Sequence, residues 1–154
     1  MRTMLKTSVF SVLPKPQSHR APRCQLLMEN HPTGKTLKGC KLVDQFTSGR
    51  RYVVITDDDN FFEEVLHIYL LDLELDVLDE LDLSLPYTAG VYRLHCHDES
   101  QISFRFFDDG LWSLRVRQEP RPRPLNYSQF PTRRPIRLWG QQYLSLNKAE
   151  MSAA

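Results

Sequence analysis

The sequence lacks any apolar run approaching the roughly 18 residues that a membrane-spanning helix requires, so it predicts no membrane span. It has only three cysteines, an odd number with no C-x-x-C pair, which argues against a disulfide framework and fits a reducing, cytoplasmic compartment. A net charge of one sign is also missing, because 20 Lys+Arg stand against 19 Asp+Glu. That balance excludes a uniformly basic nucleic-acid binder and a uniformly acidic disordered chain.

The balanced total hides three blocks of opposite charge. Residues 1–56 carry ten basic against two acidic side chains, a net of +8. Residues 57–99 carry thirteen acidic side chains against a single basic one, a net of −12, and residues 100–154 carry nine basic against four acidic, a net of +5. Such asymmetry informs partners and association rates rather than fold. The basic ends could fold back onto the acidic block and neutralise it, or leave it free for a basic partner.

The N-terminal segment, residues 1–36, is predicted to be a basic, disordered extension. Residues 1–27 contain no acidic side chain, and their longest apolar stretch is too short for a secretory signal. An Arg- and Ser-rich composition would suit a mitochondrial transit peptide, but three prolines interrupt any amphipathic helix. We therefore expect a tail, or a folded protein that begins at Met28.

The chain of 154 residues suits one domain, whose core we place at residues 37–117. A second extension, residues 118–154, follows it. Between Gln118 and Arg137 this extension has five prolines and five arginines, a composition that favours extended backbone. The apolar residues of the segment Trp139–Leu146 could nevertheless dock onto the core.

The core is predicted to be all-β and mainly antiparallel, as a small meander sheet, a sandwich or a partial barrel. Short apolar runs with β-branched and aromatic residues alternate with turn residues, as expected for strands. The runs cover residues 52–56, 65–72, 77–85, 91–97, 101–107 and 111–117. Asp109-Gly110, between the last two runs, is a strong hairpin signal.

A helix is the alternative for residues 61–85. Asn60 and Glu63 resemble a capping box, and apolar residues with helical spacing follow them. The acids crowded between residues 72 and 82 would oppose the dipole at the helix C-terminus. The alternation from Glu80 to Leu85 also has the period of a strand, so we predict two strands joined by a turn near Leu73–Asp76.

The acidic block supplies the leading hypothesis, a non-enzymatic module that docks a basic protein. Carboxylates recur at alternating positions, which would place them on one sheet face and steer a basic partner electrostatically. The predicted binding residues are Asp72, Glu74, Asp76, Glu80 and Asp82. Inhibitors of basic toxins, including bacterial immunity proteins, follow the same logic, but the sequence carries no family-specific motif. A face that only keeps the sheet soluble is the simpler interpretation.

A metal-binding or metal-sensing module is the second hypothesis. His95 and His97 would share one face of a strand and could hold zinc or copper with His67 or a carboxylate as a third ligand. Cys96 would point to the opposite face, which argues against a Cys-His catalytic pair. Neither a complete nucleophile–base pair nor a cofactor loop is present, so we predict neither an enzyme nor a bound cofactor.

A nucleic-acid-associated protein is the third hypothesis. It depends on the Arg- and Pro-rich tail, with Arg121, Arg123, Arg133, Arg134 and Arg137 as the candidate phosphate contacts. The adjacent acidic block would repel phosphate.

The run Asp57–Asn60 fails the spacing of a calcium loop, because Phe62 and Ile68 stand where a glycine and a glutamate are needed, and we expect a solvated acidic turn there.

Overall fold

A computed structural model describes residues 4–16, 21–107, 110–122, 132–135 and 141–148. Within these ranges the chain forms strands and no helix. The strands are β1 (Met4–Lys6), β2 (Phe10–Pro14), β3 (Arg23–Met28), β4 (His31–Lys38), β5 (Lys41–Ser48), β6 (Arg51–Asp57), β7 (Leu66–Leu71), β8 (Val77–Leu83), β9 (Arg93–His97), β10 (Gln101–Arg105), β11 (Leu111–Pro122), β12 (Thr132–Arg133) and β13 (Gln141–Lys148).

The all-β, antiparallel class predicted from the sequence is confirmed. The strands form three open sheets in which every pairing is antiparallel. The central sheet has the order β1-β5-β6-β7-β8-β12, the C-terminal sheet β13-β11-β10-β9 and the N-terminal sheet β2-β3-β4. Asp109 lies outside the described residues, so the predicted Asp-Gly turn is described only at Gly110, which follows β10.

The two predicted strands within residues 61–85 are confirmed as the hairpin β7–β8. Its turn lies at residues 72–76, where the carboxylate of Asp72 accepts hydrogen bonds from the backbone N–H groups of Glu74 and Asp76, both at 2.9 Å. The helix-like signal at Asn60 has a local explanation. The Asn60 side chain accepts from the N–H of Phe62 at 3.0 Å, as in an Asx turn, and no helix follows.

The central sheet lies between the other two sheets and is buried on both faces. Alternate residues of β6 and β7, among them Ile55, Ile68 and Leu70, pack with β10, β11 and β13 of the C-terminal sheet. The intervening residues, such as Tyr69 and Leu71, pack with β2, β3 and β4 of the N-terminal sheet. All six residues of β7 are therefore buried, which explains why its sequence has apolar or aromatic residues at consecutive positions, with His67 as the one ionisable side chain, rather than an apolar–polar alternation.

The structure differs from the predicted N-terminal extension over residues 4–16 and 21–36. These residues form β1, β2, β3 and most of β4, and Met4, Cys24 and Leu26 are at most 1% exposed. The chain then turns into the central sheet at Gly39, which has φ +94° and where a Cβ would lie 2.6 Å from the Thr56 hydroxyl, so only glycine fits. A basic composition was interpreted as a tail, whereas β1 extends the central sheet and apolar residues of β2, β3 and β4 cover one face of that sheet.

At the C-terminal end, β13 pairs with β11 along most of its length, and Leu144 is fully buried between the sheets. Asp79 of β8 fixes this strand, because its carboxylate accepts from the backbone N–H groups of Tyr143 at 2.9 Å and Leu144 at 2.8 Å. Trp139 lies outside the described residues. In the described part of the chain no helix is long and apolar enough to cross a membrane.

Candidate functional site

The five predicted binding carboxylates do not form one exposed face. Three of them, Asp72, Glu74 and Asp76, lie in the β7–β8 turn, where the carboxylate of Asp72 closes the turn itself. Glu80 and Asp82 lie on β8 with side chains on the face that the N-terminal sheet covers. The alternation on β8 was recognised in the sequence, but the layer that packs against it was not.

Lysines of β4 occupy this acidic face. The Lys38 ammonium lies 3.3 Å from the Asp82 carboxylate and 3.6 Å from that of Glu80, and the Lys35 ammonium lies 2.8 Å from that of Asp76. The basic N-terminal block therefore neutralises part of the acidic block within the same chain. We name Asp76, Glu80 and Asp82 the paired row.

His67 links the paired row to the β6–β7 loop. Its Nδ1 lies 2.7 Å from the carboxylate of Asp82, the residue directly opposite on β8, and its Nε2 lies 2.7 Å from the carboxylate of Asp58. Burial acts to lower the pKa of His67, but the hydrogen bonds and negative charge of both carboxylates overcome it and raise the pKa to about 9. His67 is therefore a cation at neutral pH with both ring nitrogens occupied.

The same interaction corrects the expectation of a solvated acidic turn at residues 57–60. Asp57 is only 9% exposed, and the Asp58 side chain binds His67. Burial is the main cause that raises the pKa of Asp57 above its ordinary value. The turn is thus part of the packed structure, and only its tip reaches solvent.

The β6–β7 loop is held by the buried carboxylate of Glu64. This carboxylate accepts from the backbone N–H groups of Asp58 at 2.8 Å, Asn60 at 3.0 Å and Val65 at 3.1 Å. The Glu64 N–H donates to the carbonyl of Thr88 at 3.1 Å, which joins this loop to the β8–β9 loop. The loop conformation is therefore fixed by hydrogen bonds from several sides.

Large apolar side chains remain uncovered on this fixed loop. Phe61 is 87% exposed, Phe62 84% and, on the adjoining β8–β9 loop, Tyr87 90%. Glu63 accepts from the Tyr87 N–H at 3.3 Å, which holds the two loops together. We define the aromatic–acidic surface as Asp59, Phe61, Phe62, Glu63 and Tyr87. Sequence reasoning missed it, although two adjacent phenylalanines after an acidic turn are a visible signal.

The histidines of the metal hypothesis are not brought together with a third ligand. A bulge in β9 opposite Ser103 and Phe104 disturbs the alternation that would have placed His95 and His97 on one face. Nδ1 of His97 lies 3.1 Å from the Met4 carbonyl. Within the described ranges, no group of three or more His, Cys, Asp or Glu side chains is placed to hold a metal ion.

The arginines of the nucleic-acid hypothesis have different surroundings. Arg134 is turned inward, with its Nε 3.3 Å from the buried carboxylate of Asp79 and a further hydrogen bond to the Leu144 carbonyl. Arg121 is exposed near the C-terminal end of β11, and Arg133 is exposed in β12. Arg123 and Arg137 lie outside the described residues. Arg134 thus links Asp79 of β8 to the backbone of β13.

Comparison of the chain with family models, with curated proteins and with solved structures finds no match. The fold and the surfaces described above define an antiparallel, three-layered β protein.

Proposed function

We propose that the protein is a non-enzymatic binding module that docks a basic protein through its aromatic–acidic surface. The observation that carries this proposal is the exposure of Phe61, Phe62 and Tyr87 on loops that side-chain hydrogen bonds hold in one conformation. Aromatic residues are enriched at protein interfaces, and tyrosine is among the residues that most often dominate the binding energy. A loop ordered before binding loses less conformational entropy when it docks.

Charge favours a basic partner over other occupants. The surface carries Asp59 and Glu63, and Arg93 is the single lysine or arginine between positions 57 and 99. Negative potential around an aromatic patch steers cationic proteins and raises their association rate, most strongly at low salt. The proposal moves the docking site away from the paired row, because Lys35, Lys38 and His67 already engage those carboxylates.

A cytoplasmic location accords with this proposal. Cys24, Cys40 and Cys96 are all free thiols, which suits a reducing compartment.

Burial raises the pKa of the Cys24 thiol to about 11, so this cysteine behaves as a small apolar core residue rather than a nucleophile. His67 has no free ring nitrogen with which to act as a base.

The experiment is affinity capture from the cells that make the protein, followed by calorimetry with each purified candidate. Wild type is compared with the double variant Phe61→Ser/Phe62→Ser, and Leu13→Ser is the matched control, since Leu13 is a 53% exposed apolar residue on β2. We expect a basic partner whose affinity falls at least about tenfold in the double variant, is unchanged in the control and weakens with salt. Partners that bind the double variant as tightly as wild type, or whose affinity ignores salt, would overturn the proposal.

A further inference from the structure

Two arginines face each other at the end of the C-terminal sheet remote from its β9–β10 turn. Arg93 begins β9 and Arg105 ends β10, and the two residues are direct partners in the antiparallel register. Direct partners project to the same face of a sheet, and like charges in such positions repel one another. This pair lies on the outer face, because the neighbouring residues Phe104 and Phe106 are buried in the core.

A cavity of about 180 Å³ lies at this pair. It is lined by Ala89, Gly90, Val91, Arg93, Arg105 and Phe106. The β8–β9 loop approaches the sheet so closely here that a Cβ on Gly90 would lie 2.7 Å from the Phe106 ring, so any other residue at this position would require the ring to shift. The cavity is smaller than the roughly 300–1,000 Å³ of pockets for drug-sized ligands, so it suits one small group.

The donors around the cavity have no acceptor among the residues that the structure describes. Among the described residues, no carboxylate forms an ion pair with either guanidinium, and the backbone N–H groups of Ala89, Gly90 and Val91 donate no hydrogen bond. Arg93 is the single lysine or arginine of the acidic block. Within the described ranges, the two forked guanidinium groups and the N–H groups of these lining residues form a set of donors without an acceptor.

We propose that this cavity binds one oxyanion group, phosphate or carboxylate, of a small molecule. Arginine pairs bidentately with both groups through charge-assisted hydrogen bonds. One bound anion between Arg93 and Arg105 would also relieve their mutual repulsion. The inference does not depend on the aromatic–acidic surface, and the two can fail separately.

The test is a titration of the ¹⁵N-labelled full chain with inorganic phosphate and, separately, with acetate, at constant ionic strength set by sodium chloride. Saturable shifts of the Gly90 and Val91 amide signals are expected in at least one arm, and the arm that saturates at lower concentration identifies the preferred oxyanion. Arg93→Gln and Arg105→Gln should each weaken binding about tenfold or more, since each removes a charge-assisted hydrogen bond.

Arg115→Gln is the matched control, because Arg115 is an exposed arginine on the same sheet, opposite Gln101 of β10. The Arg115→Gln variant should bind the anion with the same affinity as wild type. Melting curves of all variants establish that they remain folded. The proposal is overturned if neither anion shifts the loop amides, or if the shifts persist in Arg93→Gln and Arg105→Gln as in wild type.

Discussion

The paired row on the β7–β8 hairpin and the aromatic–acidic surface belong to the same acidic block but have opposite environments. Carboxylates of the paired row lie against Lys35, Lys38 and His67, and the side chains of Glu80 and Asp82 are only 13% and 23% exposed. In the aromatic–acidic surface, two phenylalanines and a tyrosine face solvent beside Asp59 and Glu63. A high density of carboxylates in the sequence therefore does not by itself make an acidic docking face, because the chain can supply its own cations.

The largest expected effect comes from removing most of the N-terminal sheet, which packs on the face of the central sheet that carries the paired row. Deleting residues 1–27 removes β1, β2 and most of β3, and it exposes the face of the central sheet that carries Tyr69 and Leu71. We expect the truncated chain to lose its cooperative thermal transition, measured by circular dichroism, whereas removal of residues 149–154 should preserve it. A truncated chain that melts cooperatively at the temperature of the full chain would contradict the three-layered description.

His67→Gln should have the next largest effect. The substitution removes the cation between Asp58 and Asp82 and leaves two carboxylates of low exposure facing a neutral side chain. Breaking a buried ion pair from one side costs about 3–5 kcal/mol, so we expect a loss of that order in the free energy of unfolding in urea. His95→Gln, at an exposed position on β9, should change it by less than about 0.5 kcal/mol. An equal loss of unfolding free energy in His67→Gln and His95→Gln would refute the role of His67 as a stabilising cation between Asp58 and Asp82.

His67 also predicts a pH dependence with a definite sign. Its pKa is about 9 in the folded protein against an ordinary value of 6.5, so protonation favours folding. The stabilisation is complete below pH 6.5 and is lost as the pH rises to about 9, with a slope of at most about 1.4 kcal/mol per pH unit. The difference in unfolding free energy between wild type and His67→Gln should shrink across this window; a difference that stays constant from pH 6 to pH 10 would contradict it.

The lysines allow a finer comparison within the paired row. Lys38 is 31% exposed and lies between two carboxylates, so Lys38→Met should cost about 1–2 kcal/mol in urea unfolding. Lys35 is 41% exposed, and its partner Asp76 is 65% exposed, so Lys35→Met should cost less than about 0.5 kcal/mol. The ranking is tested at low and high salt, and an equal cost for both would show that burial does not distinguish the two pairs.

The strands of the core were predictable because each carries its own local signal. Period-two alternation, β-branched residues and polar turns are properties of short segments, and they located β6 to β10 closely and the start of β11, which continues to Pro122, five residues beyond the predicted run. The same alternation runs through Arg23-Cys24-Gln25-Leu26, whose second and fourth residues are fully buried. It was missed because the basic, proline-containing composition around it is typical of a tail.

The site residues depend on contacts between strands, which spacing alone does not encode. The alternation of the carboxylates along β8 was visible in the sequence. Whether β4 covers them depends on how the N-terminal sheet packs on the central sheet, which the alternation does not indicate. The hydrogen bond between His67 and Asp82 could have been predicted from the sequence, because a hairpin that turns at residues 72–76 places these two residues opposite each other. Asp58 reaches the same histidine from a loop, and no local pattern indicates that.

The most direct test of the central claim compares binding and stability in two variants. A partner captured by the wild-type protein is titrated against Phe61→Ser/Phe62→Ser and against Lys38→Met, and each variant is also unfolded in urea. We expect the phenylalanine variant to lose at least about tenfold in affinity while its stability stays within about 0.5 kcal/mol of wild type, and Lys38→Met to lose stability but keep its affinity. The reverse pattern, in which releasing the paired row changes binding and removing the phenylalanines does not, would contradict it.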